Sequence, residues 1–280
     1  MSTPILIVVA IGLVCAVVLT VASKVFYVPV DETVAKLSEE LPGANCGGCG
    51  YAGCNDYAEA LAADHSLACN KCAVGGAEVA AKLAEILGVS AGDAEPNVAV
   101  VRCNGQTGIA KPLMEYKGMQ TCAAAKTFFS GVNQCKYGCL GLGDCTRACN
   151  FDAIRVINGV AIVDRTNCVG CGACAEACPN GLIQLTPESS MVMVRCSNQD
   201  KGGAAMKACK NACIGCGKCE RTCKFDAIHV ENNVAHIDPA KCKNCGMCAK
   251  ECPTGAIANI RTWVREQQAA AKAAAEAHQA

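Results

Sequence analysis

Cysteine carries the chemistry of this sequence: 26 of 280 residues, all but Cys15 lying between positions 46 and 252. The densest stretch reads Cys213-x2-Cys216-x2-Cys219-x3-Cys223, followed by Cys242-x2-Cys245-x2-Cys248-x3-Cys252-Pro253. In such runs three thiolates hold one [4Fe-4S] cube and the fourth reaches across to its neighbour. Crossed ligation therefore assigns Cys213, Cys216, Cys219 and Cys252 to one cluster, and Cys242, Cys245, Cys248 and Cys223 to the other.

Disulfides and zinc explain the spacing poorly. Four cysteines between positions 213 and 223 are too close to pair with one another comfortably and too many for one tetrahedral zinc. A cubane needs such a tight three-thiolate loop plus one remote thiolate. A thiolate-rich chain of this kind also implies a reducing compartment.

The stretch is the second copy of an internal repeat. Cys209, Cys213, Cys219, Cys223, Cys242, Cys245, Cys248 and Cys252 each follow a cysteine by 74 residues, namely Cys135, Cys139, Cys145, Cys149, Cys168, Cys171, Cys174 and Cys178. Phe151 to Ile154 and Phe225 to Ile228 share the same FDAI sequence at that offset. Both copies resemble the bacterial-type 2[4Fe-4S] ferredoxin module.

Cys168, Cys171, Cys174 and Cys149 complete one set in the first copy, but Leu142 stands where Cys216 stands in the second. The set of Cys139, Cys145 and Cys178 is then either a three-iron site or is completed by another thiolate. Cys135, four residues before Cys139, is the expected substitute. Cys103, Cys122, Cys196 and Cys209 are left over and could form an extra cluster, for a total of five or six. Cys103 and Cys196 each follow a strand-like run ending in Val-Arg, and are read as equivalent strand ends.

A separate cluster motif lies upstream. Cys46-x2-Cys49-x4-Cys54 sits among five glycines, which let backbone fold tightly around an inorganic core. Cys69 and Cys72 follow, and spacing alone leaves the fourth ligand open between them. LPGANCGGCGYAGC followed by KCAVGG resembles the small iron–sulfur domain that follows the membrane anchor in the B subunit of the Rnf electron-transport complex. That resemblance selects Cys72 and leaves Cys69 as a spare buried thiol.

The elements that would position these sites divide the chain into an anchor (1–28), a small [4Fe-4S] domain (29–90), a linker and strand region with extra cysteines (91–134), ferredoxin-like modules (135–190 and 191–260), and an Ala-rich helical tail (261–280). Ile5 to Ser23 carries no charge, and as a helix it spans roughly 28 Å, close to the bilayer hydrocarbon thickness. No Lys or Arg precedes it, which favours a single transmembrane helix over a cleaved signal peptide. Val79, Leu83, Ile86 and Leu87 follow helical spacing and end at Gly88; Ala227–Val230 and Val234–Ile237 around Asn232-Asn233 read as a hairpin. His229 and His236 lie on those strands as bystanders. The fold class is α+β.

Charge and composition exclude other functions. Lys+Arg and Asp+Glu are 25 each, so no global basic excess exists to neutralise phosphates and no nucleic-acid partner is expected. Aromatic residues make up 4%, too few for a large aromatic core, so metal ligation is expected to help hold the domains together. No P-loop is present; GCGYAG (48–53) and GVSAG (88–92) match GxGxxG and GxSxG only as strings, the first inside the cysteine motif and the second at a helix end. What remains is a conductor of single electrons on a membrane anchor.

The resemblance to the Rnf B subunit, long type with duplicated modules, covers residues 1 to about 260. It implies a component of a ferredoxin:NAD+ oxidoreductase that translocates Na+ or H+, taking electrons from soluble ferredoxin and passing them to other Rnf subunits that carry flavin and NAD. It also implies a single-pass protein of the cell membrane with its cluster domains on the cytoplasmic side. A polyferredoxin feeding a hydrogenase or heterodisulfide reductase is the alternative; it would share the modules but have no reason for the CGGCGYAGC domain.

Overall fold

A computed structural model of the chain describes residues 12–22, 31–91, 95–127 and 131–261. Helix α1 (12–22) exposes Leu13, Val14, Val17, Val18, Leu19 and Val21. Among the described residues no helix is long and apolar enough to cross a membrane. Of the expected Ile5–Ser23 span, residues 5–11 and Ser23 lie outside the described residues, as do 262–280 of the expected tail helix.

The small domain packs three helices: α2 (Glu32–Glu40), α3 (Cys54–Ala63) and α4 (Gly76–Leu87), with a 3-10 turn at Cys69–Lys71. Asp31 starts α2 by accepting the Thr33 amide at 2.8 Å, and α4 stops at Gly88, whose left-handed φ of 68° favours glycine. Leu37, Tyr57, Leu61 and Leu83 are fully buried between them. Each buried leucine stabilises the domain by roughly 1.5–3 kcal/mol. Of the four apolar positions expected on α4, Leu83 and Leu87 are buried, with Val79 and Ile86 packed at the edge.

Each repeat is built from two antiparallel strand pairs. In the first, β1 (Asn97–Val101) pairs with β4 (Ile183–Pro187), and β2 (Ile154–Ile157) pairs with β3 (Val160–Val163). In the second, β5 (Val192–Val194) pairs with β8 (Ile257–Asn259), and β6 (Ile228–Glu231) with β7 (Val234–Ile237). The inner hairpins turn through Asn158, with φ of 50°, and through Asn232-Asn233, with φ of 49° and 63°. Asparagine tolerates this left-handed conformation, which matches the twist of the flanking strands. Short helices α6 (Asp144–Arg147), α7 (Ala173–Glu176), α9 (Lys218–Thr222) and α10 (Met247–Glu251) carry Cys145, Cys174, Cys219 and Cys248.

The outer strand pairs extend the repeat beyond its cysteine runs. The expected module boundary at residue 135 leaves β1 outside, yet β1 is paired along its whole length with β4 and packs as part of the first repeat. Arg102 donates its amide to Leu182 O at 2.8 Å, and Arg195 donates to Ala256 O at 2.7 Å. Leu182 and Ala256 are 74 residues apart, but Arg102 and Arg195 are 93 apart. The first repeat therefore holds 19 more residues between its strand and its cysteine run. That extra length contains α5 (Cys122–Thr127).

Candidate metal centres

All the cysteines are free, and the described thiols between positions 46 and 252 gather into six groups with Cys69 left over. Site I is Cys46, Cys49, Cys54 and Cys72. Burial raises the Cys72 thiol, the Gly75 amide at 3.4 Å draws it back, and the thiols of Cys54, Cys49 and Cys46 raise it again. Asn45 holds the loop by accepting the Cys54 amide at 2.8 Å. Cys69 is 1% exposed, and burial is the one cause of its raised pKa.

Site II is Cys149, Cys168, Cys171 and Cys174, which line one cavity with Ala99 and Ile154. Burial first, then the surrounding thiols, push Cys174 to about 12. The Ala99 amide of β1 donates to the Cys168 sulfur at 3.3 Å. Gly170 brings its backbone so close to Asn97 O that a Cβ there would lie 2.2 Å from it. The outer strand is thus part of this site.

Site III differs from the sequence expectation. Cys139, Cys145 and Cys178 line a cavity whose fourth thiol is Cys122, and Cys135 is absent from its walls. Burial pushes Cys145 up to about 11, reinforced by Cys139, Cys122 and Cys178. The physical reason lies in the longer first repeat. Asp144 accepts the amides of Cys122 and Ala123, each at 2.9 Å, pinning the start of α5. Leu142 packs against the small cluster of Cys122, Ala125 and Leu140. An inserted helix therefore carries a thiol to the wall that Leu142 leaves without one.

Site IV corrects the extra-cluster expectation in the same exchange. Cys103, Cys135, Cys196 and Cys209 line one cavity, with Cys135 in the place expected for Cys122; Cys139 borders this cavity as well as that of site III. They are 7%, 8%, 7% and 7% exposed. Burial pushes Cys135 to about 11, and Cys196 and Cys209 add to it. Two thiols come from each repeat. Gly105 and Cys139 donate amides to the Cys103 sulfur at 3.4 and 3.3 Å; Asn198 and Cys213 donate theirs to Cys196 at 3.4 and 3.2 Å. The buried Asn198 side chain adds a fifth donor, to Cys135 at 3.5 Å.

Sites V and VI lie in the second repeat. Cys219 rises to about 11 through burial, with Cys213 and Cys216 adding to the shift. Cys252 packs in the same core and is drawn downward despite burial, because Thr254 and the amides of Ile257 and Ala256 donate to it. Around Cys248, burial and the thiols of Cys242, Cys245 and Cys223 push the pKa to about 11. Cys216 and Cys245 are exposed, unlike any thiol of site IV.

The donor sets fit iron–sulfur clusters. They are all-thiol, nearly all buried or half-buried, and supplied with N–H donors aimed at sulfur, the features that hold and tune such clusters. Among the described residues no three His, Cys, Asp or Glu side chains are arranged to hold a single ion. His229 and His236 face other partners: Glu220 at 3.3 Å and Arg102 at 3.5 Å.

Neighbouring sites adjoin one another, mostly through backbone. A Cβ on Gly48 of site I would lie 2.5 Å from Cys171 O of site II. The Cys145 thiol of site III adds to the raised pKa of Cys174 in site II. Cys139 and Cys213 donate their amides to site IV sulfurs while belonging to sites III and V. In site VI, Cys223 follows α9 of site V directly.

Three family models match segments of the chain: Fe-S cluster over 41–74, 4Fe-4S binding domain over 161–184, and 4Fe-4S dicluster domain over 212–256. The B subunit of the Na+-translocating ferredoxin:NAD+ oxidoreductase complex of Acetobacterium woodii is 47% identical over 247 residues, 88% of this chain and 74% of that protein. Its counterpart in the proton-translocating complex of Clostridium ljungdahlii is 43% identical over 274 residues, 96% of both chains. The chain belongs to the family of Rnf complex B subunits. The B subunit of the ion-translocating oxidoreductase complex of Methanosarcina acetivorans, 39% identical over 88% of this chain and 93% of its own, extends that similarity. Within the Rnf B-subunit family the ferredoxin-type modules make the chain an iron–sulfur electron-transfer component, and the hydrogenase-linked polyferredoxin alternative is set aside.

Three functional elements escaped sequence reasoning. Asp144 was hidden because its repeat counterpart is Lys218. Asn198 is a single buried amide with no pattern. The positions of Cys122 and Cys135 are the third: proximity in sequence favours Cys135, whereas α5 sets Cys122, 17 residues before Cys139, in the cavity wall beside Cys139, Cys145 and Cys178.

Proposed function

We propose that the chain binds six [4Fe-4S] clusters at sites I to VI, and that it carries single electrons from reduced soluble ferredoxin to other subunits of the Rnf complex. The observation that supports this most directly is the unbroken succession of neighbouring sites, each adjoining the next. A bound [4Fe-4S] cluster takes up and releases one electron at a time. The chain's own part is to hold the thiols, exclude water from sites III and IV, and direct amides at sulfur. The exposed thiols Cys216 and Cys245 support uptake at the second repeat, where nine exposed cations lie between Lys201 and Cys252. Ferredoxins of this kind are commonly acidic, and a cationic face speeds their encounter.

We further propose that the apolar residues 5–23 anchor the chain in the cell membrane, with sites I to VI on the cytoplasmic side. The exposed apolar surface of α1 supports this, as does the reducing compartment that free thiols require.

The test uses the whole complex. Replacing Cys103 and Cys196 by Ser removes site IV from the middle of the succession. Reduced ferredoxin should still reduce the clusters of the second repeat, while NAD+ reduction by the complex is lost. Undiminished NAD+ reduction in that variant would place the electron path elsewhere.

A further inference from the structure

Site IV is flanked by two arginines in a crossed arrangement. Arg102 follows β1 and precedes Cys103; Arg195 follows β5 and precedes Cys196. Each guanidinium reaches across the repeat boundary. Arg102 Nη2 donates to Cys196 O at 3.5 Å, and Arg195 Nη2 donates to Cys103 O at 3.3 Å. Both line the cavity that the four thiols share. The two halves of the site thus exchange their cations reciprocally.

These charges lack acidic partners. Among the described residues no carboxylate forms an ion pair with either arginine. Burial lowers the pKa of both; thiolates oppose it, from Cys196 and Cys213 at Arg102 and from Cys103 at Arg195. A partly buried cation is stabilised by a counter-charge nearby. The anionic sulfurs of the site are the groups placed to supply it.

A second feature sets the site apart. Five N–H groups point at its sulfurs, spread over three of its four thiols, whereas the donors of site V gather on Cys252 and those of site III on Cys139 and Cys178. Adding an electron increases the negative charge on a thiolate-held cluster. Fixed cations and N–H donors favour the reduced form, and burial opposes it. All four thiols of site IV are buried, against two of the four at site III, so the cations and donors act against the deeper burial there.

We propose that Arg102 and Arg195 clamp site IV as a crossed cationic pair, giving its cluster the least negative reduction potential in the chain. This rests on the reading that Cys103, Cys135, Cys196 and Cys209 hold a cluster. An electron entering at the second repeat then settles in the middle of the succession before moving on. The arginines are positioning residues: they hold the Cys103 and Cys196 carbonyls and bias the charge of the site.

The experiment is a potentiometric EPR titration of the anaerobically purified full chain, with iron counted in every sample. Wild type should show one centre reduced before the others. In R102Q/R195Q that centre should shift to more negative potential by on the order of tenfold in its reduced-to-oxidised ratio, about 59 mV for one electron, with iron unchanged. R102K/R195K, which keeps the charge, should restore most of the shift. An unmoved centre at full iron content in R102Q/R195Q overturns the proposal. Should that variant lose iron, the Lys variant decides: retained iron with a near-wild-type potential supports the clamp, and loss of both overturns it. C135A/C196A separates the underlying reading. Unchanged iron there would mean that site IV holds no cluster, whereas lost iron with Arg-independent potentials would remove the clamp alone.

Discussion

Cys139 donates its backbone amide to the sulfur of Cys103 at 3.3 Å, although the two residues belong to different candidate centres. Its repeat counterpart Cys213 does the same for Cys196 at 3.2 Å. The bonds weld sites III and V to site IV, so each ferredoxin-like repeat shares a wall with the centre between them. Duplication of one module thereby produced a site that neither copy holds alone, since each supplies two of its four thiols.

The first prediction separates Cys122 from Cys135. C122A should damage site III, giving a three-iron EPR signal or a loss of about four irons, while the site IV signal is retained. C135A should do the reverse. A variant pair with interchanged effects would restore the ligand set that sequence proximity favours.

That exchange marks the limit of what the sequence discloses. Regular runs such as Cys242-x2-Cys245-x2-Cys248 are legible because three corners of a cubane must come from one tight loop. The Asn232-Asn233 turn is legible because its backbone conformation restricts the residues that can adopt it. The fourth corner is a tertiary property. Cys122 reaches its place through a helix held by Asp144, and nothing local to either residue announces the contact. Cys103 and Cys196 were recognisable as equivalent strand ends, but the strands β4 and β8 that align them carry no cysteine signal.

Asp144 is the second test. D144A removes two charge-assisted bonds to the start of α5 and its ion pair with Arg147. Bonds of this kind contribute about 1.5–3 kcal/mol each when one partner is charged, so thermal unfolding should begin earlier and site III should lose iron before the other sites. Uniform iron loss across all sites in a timed chelation assay would deny Asp144 that specific role.

A third prediction concerns the junction between the small domain and the first repeat. Gly48→Ala sets a methyl 2.5 Å from Cys171 O and 2.9 Å from Cys171 Cα, which forces the two backbones apart. Iron content should hold, while magnetic coupling between the reduced centres of sites I and II weakens and electron transfer between them slows. Identical EPR line shapes in variant and wild type would show that this contact does not set their separation.

The exposed cations of the second repeat supply a fourth. Lys218 is paired with Glu251 at 2.7 Å, and Arg221 holds Cys216 O at 3.3 Å, so reversing either disturbs the fold. Lys224, Lys243 and Lys250 are exposed and are the better choices. Changing all three to Glu should slow reduction by ferredoxin at low ionic strength and flatten its salt dependence. An equal rate and salt slope would move the uptake surface away from this repeat.

Buried thiols add a pH dependence to cluster assembly. Cys135, Cys139 and Cys145 are raised to about 11 and Cys174 to about 12, chiefly by burial. A ligand must be a thiolate, and at neutral pH these groups are protonated in the metal-free fold. Loading releases their protons and should accelerate as pH rises from 7 towards 9, where the thiolate fraction grows. A loading rate independent of pH, measured by absorbance during anaerobic reconstitution, would contradict these shifted thiols.

The most direct measurement of the six-site account is iron and acid-labile sulfide per chain in anaerobically purified full-length protein. Six four-iron centres predict about 24 of each; about 20 or fewer in fully loaded protein would contradict it.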